Sequence, residues 1–217
     1  MRSDNRGIMN KNLLILGAGQ YGTVVKEIAK SMGCFEKIDF LDDTFGNGET
    51  EGNYHEQSIG KLADYEQFVN EYSYAIVAIG DPEVRKAWTE KLKKALYQIP
   101  IIASPKAFVG KTVQLRYGVV VEPMAVVHEN VVVGIGTIVS AGAVINHNSF
   151  VADYCHIDNN AVVMRGAFVQ SMSYVEPLEV VRKVPSKFTI DKDGNIKRED
   201  ISKRTPVGDG YNFDDVM

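Results

Sequence analysis

The sequence contains few cysteines and no excess of basic residues. Only Cys34 and Cys155 occur among its 217 residues, far apart and without the spacing of metal ligands. We therefore expect two reduced structural thiols, neither of them a nucleophile. Lys and Arg number 24 against 28 Asp and Glu, which gives a net charge of -4. Because there is no basic run to match a phosphate backbone, nucleic acid is not an expected partner.

Long apolar runs are also absent. The first residues, MRSDNRGIMNKN, are polar and lack the apolar core of a signal peptide. No later segment approaches the ~18 consecutive apolar residues of a membrane span. We expect a cytoplasmic protein with no membrane partner.

The first half of the chain alternates between short apolar runs and longer helical patterns. The predicted strands are residues 12–16, 37–41, 74–79 and 99–102, and the predicted helices are residues 21–33, 62–71 and 82–96. Such alternation is typical of a parallel sheet with right-handed crossovers. We predict a small Rossmann-like α/β domain over residues 12–103.

The first turn of this domain reads GAGQYG, with Gly17, Gly19 and Gly22 in the three glycine positions of GxGxxG. Glycines between a strand and a helix allow a sharp turn and a close approach of backbone amides to a phosphate. Asp42 and Asp43 end the next strand, where a carboxylate can bind a ribose hydroxyl. The pattern favours nucleotide binding. The alternative is that the glycines serve strand-helix packing and the aspartates cap a loop.

The third strand ends in IGDPEVRKAW, which places Gly80 and Asp81 at the same carboxyl edge of the sheet. Ligands of open α/β sheets bind at this edge. Arg85, one turn into the next helix, is expected to face solvent, with a phosphate as the alternative.

After Pro105 the pattern changes to a six-residue period. Every sixth residue from Val109 is aliphatic without a miss: Val109, Leu115, Val121, Val127, Val133, Val139, Ile145, Val151, Ile157, Val163, Val169, Val175 and Val181. Four places after these residues lie mostly small or β-branched side chains: Val113, Val119, Ala125, Val131, Thr137, Ala143, Ser149, Cys155, Ala161, Ala167 and Ser173. One aliphatic and one small inward residue in every six describe a parallel β-helix, whose short strands stack at ~4.8 Å.

We therefore predict a β-helix over residues 104–182, ending near Val181. In the remaining residues, 183–217, Asp193-Gly194 between two β-prone runs predicts a hairpin, followed by a polar tail.

Taken together, five stretches resemble a known family. They are LLILGAGQYG, FLDD at 40–43, AIGDPEVRK at 78–86, ASPKAFV at 103–109 and VINHNSFVADYCHI at 144–157. The chain resembles the hexapeptide-repeat sugar acetyltransferases typified by the sialic acid O-acetyltransferase and the UDP-N-acetylbacillosamine N-acetyltransferase. The resemblance implies a left-handed β-helix, a homotrimer, and acetyl-CoA bound in the groove between neighbouring β-helices.

The resemblance also implies that the N-terminal domain holds a nucleotide-sugar substrate. The pocket residues that it implies are Gly17, Gly19, Gln20, Tyr21, Gly22, Asp42, Asp43 and Gly80. Gln20 and Tyr21 replace the Gly-His often found in the first turn of the family, so contacts to the base or pyrophosphate are expected to differ.

His147 occupies the third place of its hexad, at a bend between two flat faces of the β-helix. An imidazole that titrates near neutrality is well suited to remove a proton from an attacking amine or hydroxyl. By the resemblance, His147 is the catalytic base. Asn148 replaces the carboxylate that commonly follows this histidine, and it can orient the ring without supplying charge. The alternative is a surface histidine at a corner.

Two further positions concern acetyl-CoA. By the resemblance, His156 contacts the cofactor, and the alternative is a rim residue that packs on a neighbouring subunit. Arg165 stands where the family has a glycine near the thioester, so its side chain either intrudes on the cofactor groove or binds the cofactor phosphates.

Three of the histidines have a spacing that resembles a known zinc site. His128 and His147 are nineteen residues apart, close to the eighteen of a β-helix coil, so with His156 they could imitate the three-histidine zinc site of hexapeptide-repeat carbonic anhydrases. The offset of one place points the side chains differently, and that class lacks the N-terminal domain. No metal is expected.

The favoured hypothesis is transfer of an acetyl group from acetyl-CoA to an amine or hydroxyl of a nucleotide-linked sugar. Direct transfer is expected, because no Cys or Ser with an adjacent base suggests a covalent intermediate. One alternative is a non-catalytic trimeric nucleotide-sugar-binding protein with a degenerate cofactor groove. Another is an NAD-linked oxidoreductase, suggested by GAGQYG and Asp42.

Overall fold

The computed structural model describes residues 10–45 and 58–182, together with residues 188–190 and 196–198. Contacts divide the chain into two units, Met1–Arg182 and Lys183–Met217. The boundary between the N-terminal domain and the β-helix within the first unit stays a prediction.

The N-terminal part of the first unit is an α/β domain. Its elements are β1 (Asn12–Leu16), α1 (Gln20–Met32), β2 (Lys37–Leu41), β3 (Ser58–Gly60), a 3-10 helix (Leu62–Phe68), β4 (Tyr74–Val77) and α2 (Pro82–Lys94). The four strands form a parallel sheet in the order β3-β2-β1-β4. The carboxyl ends of β1, β2 and β4 therefore meet at one edge.

β1 is buried on both faces, which explains its unbroken apolar sequence. Leu13 and Ile15 pack into one core cluster, whereas Leu14 and Leu16 pack into a second cluster on the other side. Successive side chains of a strand point to opposite faces. The NLLIL run therefore connects the two cores of the domain.

Three sequence predictions for this domain differ from the structure. The predicted strand 99–102 is wrong, because Ile102–Ala103 (β5) pairs with a β-helix strand at Val120–Val121. The predicted helix 62–71 is a shorter 3-10 helix, Leu62–Phe68. The strand Ser58–Gly60 was not predicted, since three residues show no period.

From Ile102 onward the chain winds as a parallel β-helix of two-residue strands. These are β5 (Ile102–Ala103), β6 (Phe108–Val109), β7 (Gln114–Leu115), β8 (Val120–Val121), β9 (Val126–Val127), β10 (Val132–Val133), β11 (Ile138–Val139), β12 (Val144–Ile145), β13 (Phe150–Val151), β14 (His156–Ile157), β15 (Val162–Val163), β16 (Phe168–Val169), β17 (Tyr174–Val175) and β18 (Val180–Val181).

The strands form three sheets around one core. Sheet I has the order β17-β14-β11-β8-β5, sheet II has β18-β15-β12-β9-β6, and sheet III has β16-β13-β10-β7. Each pairing joins residues eighteen apart, such as Ile138 with His156. The predicted β-helix is confirmed, and its last described strand ends at Val181.

Both predicted residue series point inward. The aliphatic series and the small series together line the core cluster of the β-helix. Thr137 and Ser149 are buried polar members, and their hydroxyls donate to the carbonyls of Ala152 and Met164, each at 2.9 Å. Backbone groups of the next coil thus satisfy the polar residues of the interior.

A left-handed residue recurs at each bend from Gly118 to Leu178. Positive φ angles occur at Gly118, Met124, Asn130, Gly136, Gly142, Asn148, Tyr154, Asn160, Gly166, Met172 and Leu178, each six residues after the last. Glycine and asparagine adopt this conformation most easily. The hexad period is therefore set by the bend as well as by the core.

The α/β domain packs against sheet I through both apolar and charged contacts. Val120 and Ile102 of the β-helix are buried in the same cluster as Leu13 and Ile15 of β1. Arg85 is only 2% exposed, so the expectation that it faces solvent is wrong.

The Arg85 guanidinium bridges the two parts of the unit. It donates to the carbonyls of Ile79 at 2.9 Å and Gly80 at 2.5 Å, and across the junction to Gly136 at 2.7 Å and Tyr154 at 2.9 Å. A fixed fork of five N–H donors is suited to several carbonyls at once. Burial lowers the pKa of Arg85.

In the second unit, β19 (Phe188–Ile190) and β20 (Ile196–Arg198) pair antiparallel, as a hairpin requires. The predicted Asp193-Gly194 turn and the predicted tail lie outside the described residues. In the part of the chain that the structure describes, no helix has the length and apolar character needed to cross a membrane.

Candidate functional site

The GAGQYG turn connects β1 to α1 at the carboxyl edge of the sheet. Gly17 has φ +107°, and a Cβ there would lie 2.8 Å from the carbonyl oxygen of Ala78. A Cβ at Gly22 would lie 2.1 Å from the carbonyl oxygen of Gly17. Both glycines are therefore required by packing, as the alternative interpretation expected.

The same turn leaves backbone donors at the start of α1. Gly19 is the N-cap and offers no side-chain cap. The first amides of a helix, here beginning at Gln20, have no partner within the helix. Such a helix N-terminus favours an anion. Packing and phosphate binding are compatible functions of the turn.

Asp42 holds the glycine turn in place. Its Oδ2 accepts from the Ala18 amide at 2.8 Å, and its Oδ1 accepts from the Thr44 amide at 2.9 Å and the Thr44 hydroxyl at 2.7 Å. Asp43 is exposed, and its Oδ1 accepts from the Leu62 amide at 3.2 Å. Asp42 therefore has a structural function, whereas Asp43 presents its carboxylate to solvent.

Gly80 completes this edge. It is exposed, and a Cβ added to it would meet no atom within 4 Å. The structure thus brings together Gly17, Asp42 and Gly80 at the ends of β1, β2 and β4.

His147 lies at the edge between sheets II and III, after β12. Its side chain is exposed, and Nδ1 lies 3.2 Å from Nδ2 of Asn148. In this orientation Nδ1 accepts and Nε2 carries the hydrogen. Rotation of the amide by half a turn presents Oδ1, which leaves Nε2 free to accept a proton. Asn148 supports either tautomer.

The position of Asn148 is explained by the bend. Its φ is +59°, so it is the left-handed residue of its hexad. Asparagine is among the few non-glycine residues that adopt this conformation readily. The absence of a carboxylate next to His147 therefore coincides with a requirement of the backbone.

Glu129, His147 and Arg165 occupy the same place in three successive coils. The spacing is eighteen residues, and the amides of Asn148 and Gly166 donate at 3.2 Å to the carbonyls of Glu129 and His147. Successive coils lie ~4.8 Å apart. His147 thus stands between a carboxylate one coil below and an exposed guanidinium one coil above.

His156 lies on sheet I, on a different side of the β-helix from His147. Its Nε2 is 2.9 Å from Oγ of Ser140 and 3.8 Å from Oδ1 of Asp158, and its ring meets that of Tyr174 edge-on. Burial lowers the pKa of His156, although Asp158 acts in the opposite direction. His156 is therefore half-buried in a polar network of its own chain.

The three histidines of the zinc comparison do not converge. His128 and His147 are near the edge between sheets II and III, whereas His156 is a strand residue of sheet I. Among the described residues, no group of three or more His, Cys, Asp or Glu side chains could hold a metal ion.

The predicted site residues therefore form two groups. The glycine turn, Asp42 and Gly80 belong to the domain that packs against sheet I. His147, Asn148 and Arg165 lie at the edge opposite sheet I. One copy of the chain does not bring the two groups together.

Sequence reasoning missed Glu129, which lies eighteen residues before His147. The six-residue period predicts the core, and it equally aligns the outward side chains of successive coils.

The N-terminal part of the chain has a recognisable family. Residues 12–92 match the model described as PglD N-terminal domain. These residues are therefore similar to a PglD N-terminal domain. The matched residues include the glycine turn, Asp42, Asp43 and Gly80.

Solved structures match the domain and the β-helix together. The acetyltransferase domain of PglB from Neisseria gonorrhoeae, in complex with acetyl coenzyme A, is 24% identical with a TM-score of 0.62, over 82% of this chain and 96% of that chain. PerB from Caulobacter crescentus, in complex with CoA and GDP-perosamine, is 20% identical with a TM-score of 0.59, over 86% and 97%.

A third structure, WeeI from Acinetobacter baumannii AYE, is 16% identical with a TM-score of 0.53, over 88% of this chain and 100% of that chain. No curated protein matches the chain significantly. The match over residues 12–92 and the fold shared with these structures together confirm the resemblance to the hexapeptide-repeat sugar acetyltransferases.

Proposed function

We propose that the protein transfers an acetyl group from acetyl-CoA to an amine or hydroxyl of a nucleotide-linked sugar, with His147 as general base. The observation that carries the proposal is an exposed imidazole at a bend of a β-helix that is joined to a PglD N-terminal domain. Two structural neighbours contain acetyl-CoA, or CoA with a nucleotide sugar.

In this proposal the nucleotide sugar lies at the carboxyl edge of the N-terminal sheet. The amides at the start of α1, from Gln20 to Gly22, face the pyrophosphate. Asp43 binds a ribose hydroxyl, and Asp42 keeps the turn in position through Ala18. Gly80 leaves room for the substrate.

The tautomer of His147 determines which ring nitrogen can accept the proton of the attacking group. With Asn148 presenting Oδ1 to Nδ1, Nε2 accepts the proton of the amine or hydroxyl as that group attacks the thioester carbonyl. The carbon–sulfur bond then breaks and CoA leaves as the thiolate. Backbone amides of a neighbouring coil stabilise the oxyanion. Acetyl-CoA supplies the acetyl group when bound.

The site requires more than one copy of the chain. Because the glycine turn and His147 lie on opposite sides of one β-helix, His147 acts on a sugar held by a neighbouring copy. Outward residues of sheet II are apolar and available for such a contact: Phe108, Val126, Val144, Val162 and Val180. A homotrimer satisfies this requirement. The trimer and the cytoplasmic location stay predictions.

His147→Ala tests the catalytic assignment. Loss of a general base lowers kcat by roughly 10²-fold to 10⁴-fold, and we expect the oligomer to persist because the side chain is exposed. The measurement is acetyl transfer to nucleotide sugars, with sedimentation for assembly. His128→Ala is the matched control, since its side chain is 40% exposed near the same edge. Full activity of His147→Ala refutes the assignment.

A second candidate is a non-catalytic nucleotide-sugar-binding protein. Arg165 favours it, because its side chain lies one coil above His147, where the cofactor groove is expected. Titration calorimetry with acetyl-CoA separates the two. Binding that weakens in Arg165→Gln supports a contact between the guanidinium and the cofactor phosphates, whereas no binding to the wild type supports the second candidate.

A further inference from the structure

The first coil of the β-helix, residues 101–118, leaves one end of the core uncovered. Four of its inward side chains are half-buried: Ile101, Val109, Val113 and Leu115. The side chains at the same places one coil later are fully buried: Val119, Val127, Val131 and Val133. The terminal repeats of a solenoid normally carry a polar cap. The described part of the chain supplies no such cap for the first coil.

The uncovered side chains line an open cavity of about 460 Å³. Val109 belongs to β6 and Leu115 to β7, and the polar side chains of Gln114 and Arg116 complete the lining. Ligand pockets in proteins have volumes of about 300–1,000 Å³. The cavity is therefore large enough to hold several side chains of a binding partner.

The same end presents backbone carbonyls that lack amide partners. In the second coil, four carbonyls accept amides of the first coil at 2.8–3.0 Å: those of Ala125, Val127, Val131 and Val133. The equivalent carbonyls of the first coil receive no amide among the backbone hydrogen bonds of the described residues: those of Ala107, Val109, Val113 and Leu115. The reason is that β6 and β7 are the end strands of sheets II and III. Such an edge can pair with an extended segment whose amides donate.

The charges of the first coil are all positive. Residues 101–118 contain Lys106, Lys111 and Arg116 and neither Asp nor Glu, although the whole chain has a net charge of -4. Lys106 precedes β6, Lys111 lies between β6 and β7, and Arg116 follows β7. Nε of Arg116 is enclosed and has no hydrogen-bond partner among the described residues. The open end is thus an apolar cavity with a cation at each of the three edges of the coil.

These features favour one class of partner over two others. A second copy that docked through the same end would bring two sets of cations together, which is unfavourable. An anionic membrane would match the charge, but it would leave the edge carbonyls of β6 and β7 unpaired beside lipid. An extended acidic peptide supplies carboxylates for the cations, amides for the carbonyls and apolar side chains for the cavity.

We infer that the first coil binds an extended segment of another protein, in which apolar and acidic residues alternate, and that this segment pairs with β6 or β7 and covers the core. Successive side chains of a strand point to opposite faces, so the apolar residues enter the cavity and the acidic residues face the cations. The cavity contains none of the residues of the proposed acetyl-transfer site, so binding here is independent of that function.

The probe is a fluorescent decapeptide in which valine and glutamate alternate, and fluorescence polarisation measures its binding to the full chain. We expect a peptide with lysine in place of glutamate to bind at least about 10-fold more weakly, because like charges then meet. Two further peptides carry N-methyl groups on the valine amides or on the glutamate amides. Alternate amides of a strand face opposite edges, so one of these two peptides should bind about 10-fold more weakly.

Variants of the first coil test the cations. Arg116→Gln should weaken binding of the glutamate peptide by a few-fold, and the addition of Lys106→Gln and Lys111→Gln should extend the loss to about 10-fold. Thermal unfolding should be unchanged by the two lysine substitutions, because both side chains are exposed. Lys91→Gln is the matched control, since it removes an exposed cation from α2 and should leave the affinity unchanged.

Several results would overturn the inference. They are no binding of the glutamate peptide by the wild type, equal binding of the glutamate and lysine peptides, and wild-type affinity in the triple variant. If both methylated peptides bind as tightly as the unmodified peptide, the segment does not pair with β6 or β7. Tighter binding to phosphatidylglycerol vesicles than to the peptide assigns the end to a membrane. Self-association that the peptide inhibits, measured by sedimentation, assigns it to a second copy.

Discussion

At the scale of single residues, one side chain often satisfies two demands. Asn148 adopts the left-handed conformation of its bend, and its side chain also lies 3.2 Å from the ring of His147. From the sequence alone, Asn148 was predicted to orient the ring of His147 in place of a carboxylate. Its backbone requirement was not predicted, because φ depends on where the bend falls within the hexad.

Asn148→Asp tests the link between this residue and the base. Aspartate tolerates the left-handed conformation, and its carboxylate only accepts, which fixes the hydrogen on Nδ1 of His147 and stabilises the imidazolium. We expect the acid limb of the kcat/KM profile to move to higher pH by about one unit. Asn148→Gly, which keeps the bend and removes the contact, should leave the limb unmoved. A profile unchanged in Asn148→Asp contradicts a role for His147 as base.

His156 provides a pH dependence of stability. Burial lowers its pKa, so the unfolded chain takes up a proton near pH 6.5 whereas the folded chain does so only at lower pH. The free energy of unfolding should therefore fall as the pH decreases below about 6.5. Thermal unfolding from pH 8 to 5 measures this effect, and His156→Gln should show a smaller decrease. An equal decrease in both proteins contradicts the prediction.

At the scale of elements, the six-residue period predicted the β-helix because its cause is local. Each hexad contributes one aliphatic and one small residue to the core, and each pairs with its counterpart eighteen residues away. The short elements of the N-terminal domain were less predictable. Ile102–Ala103 shows the reason, since its assignment depends on pairing with Val120–Val121 rather than on its own sequence.

Thr137 tests how the coils are joined. Its hydroxyl donates to the carbonyl of Ala152 and accepts from the Cys155 amide at 3.1 Å. Thr137→Val keeps the shape but leaves both backbone groups unpaired inside the core, so the free energy of unfolding should fall by about 1–3 kcal/mol. Chemical denaturation measures the change. Thr137→Ser retains the hydroxyl and should lose less stability. Equal losses would contradict the prediction, because the methyl group would then contribute as much stability as the two hydrogen bonds.

At the scale of the whole molecule, the sequence predicted both parts of the first unit but not how they meet. Arg85 was expected to face solvent, and instead it joins the end of β4 to two bends of the β-helix. No local pattern reveals such a contact, because the carbonyls that receive the guanidinium are 51 and 69 residues away. For the same reason, the sequence did not predict that the two groups of site residues lie on opposite sides of the β-helix.

Arg85→Met tests this junction. Removing the guanidinium leaves several carbonyls without a charged donor, and a hydrogen bond to a charged group contributes about 1.5–3 kcal/mol. The free energy of unfolding should fall by about 3 kcal/mol or more. Arg85→Lys should recover only part of the loss, since an ammonium lacks the planar fork. Chemical denaturation measures these free energies. If Arg85→Met unfolds at the same denaturant concentration as the wild type, Arg85 does not have a structural role.

The stacking of equivalent bends also makes the β-helix a ruler. Each coil adds about 4.8 Å along the axis and reproduces every outward position at the next level. Inserting or deleting eighteen residues above the junction would therefore preserve the local surroundings of every other bend while changing the height of the bends above that point. The β-helix can lengthen or shorten in steps of one coil without altering the bends that it already has.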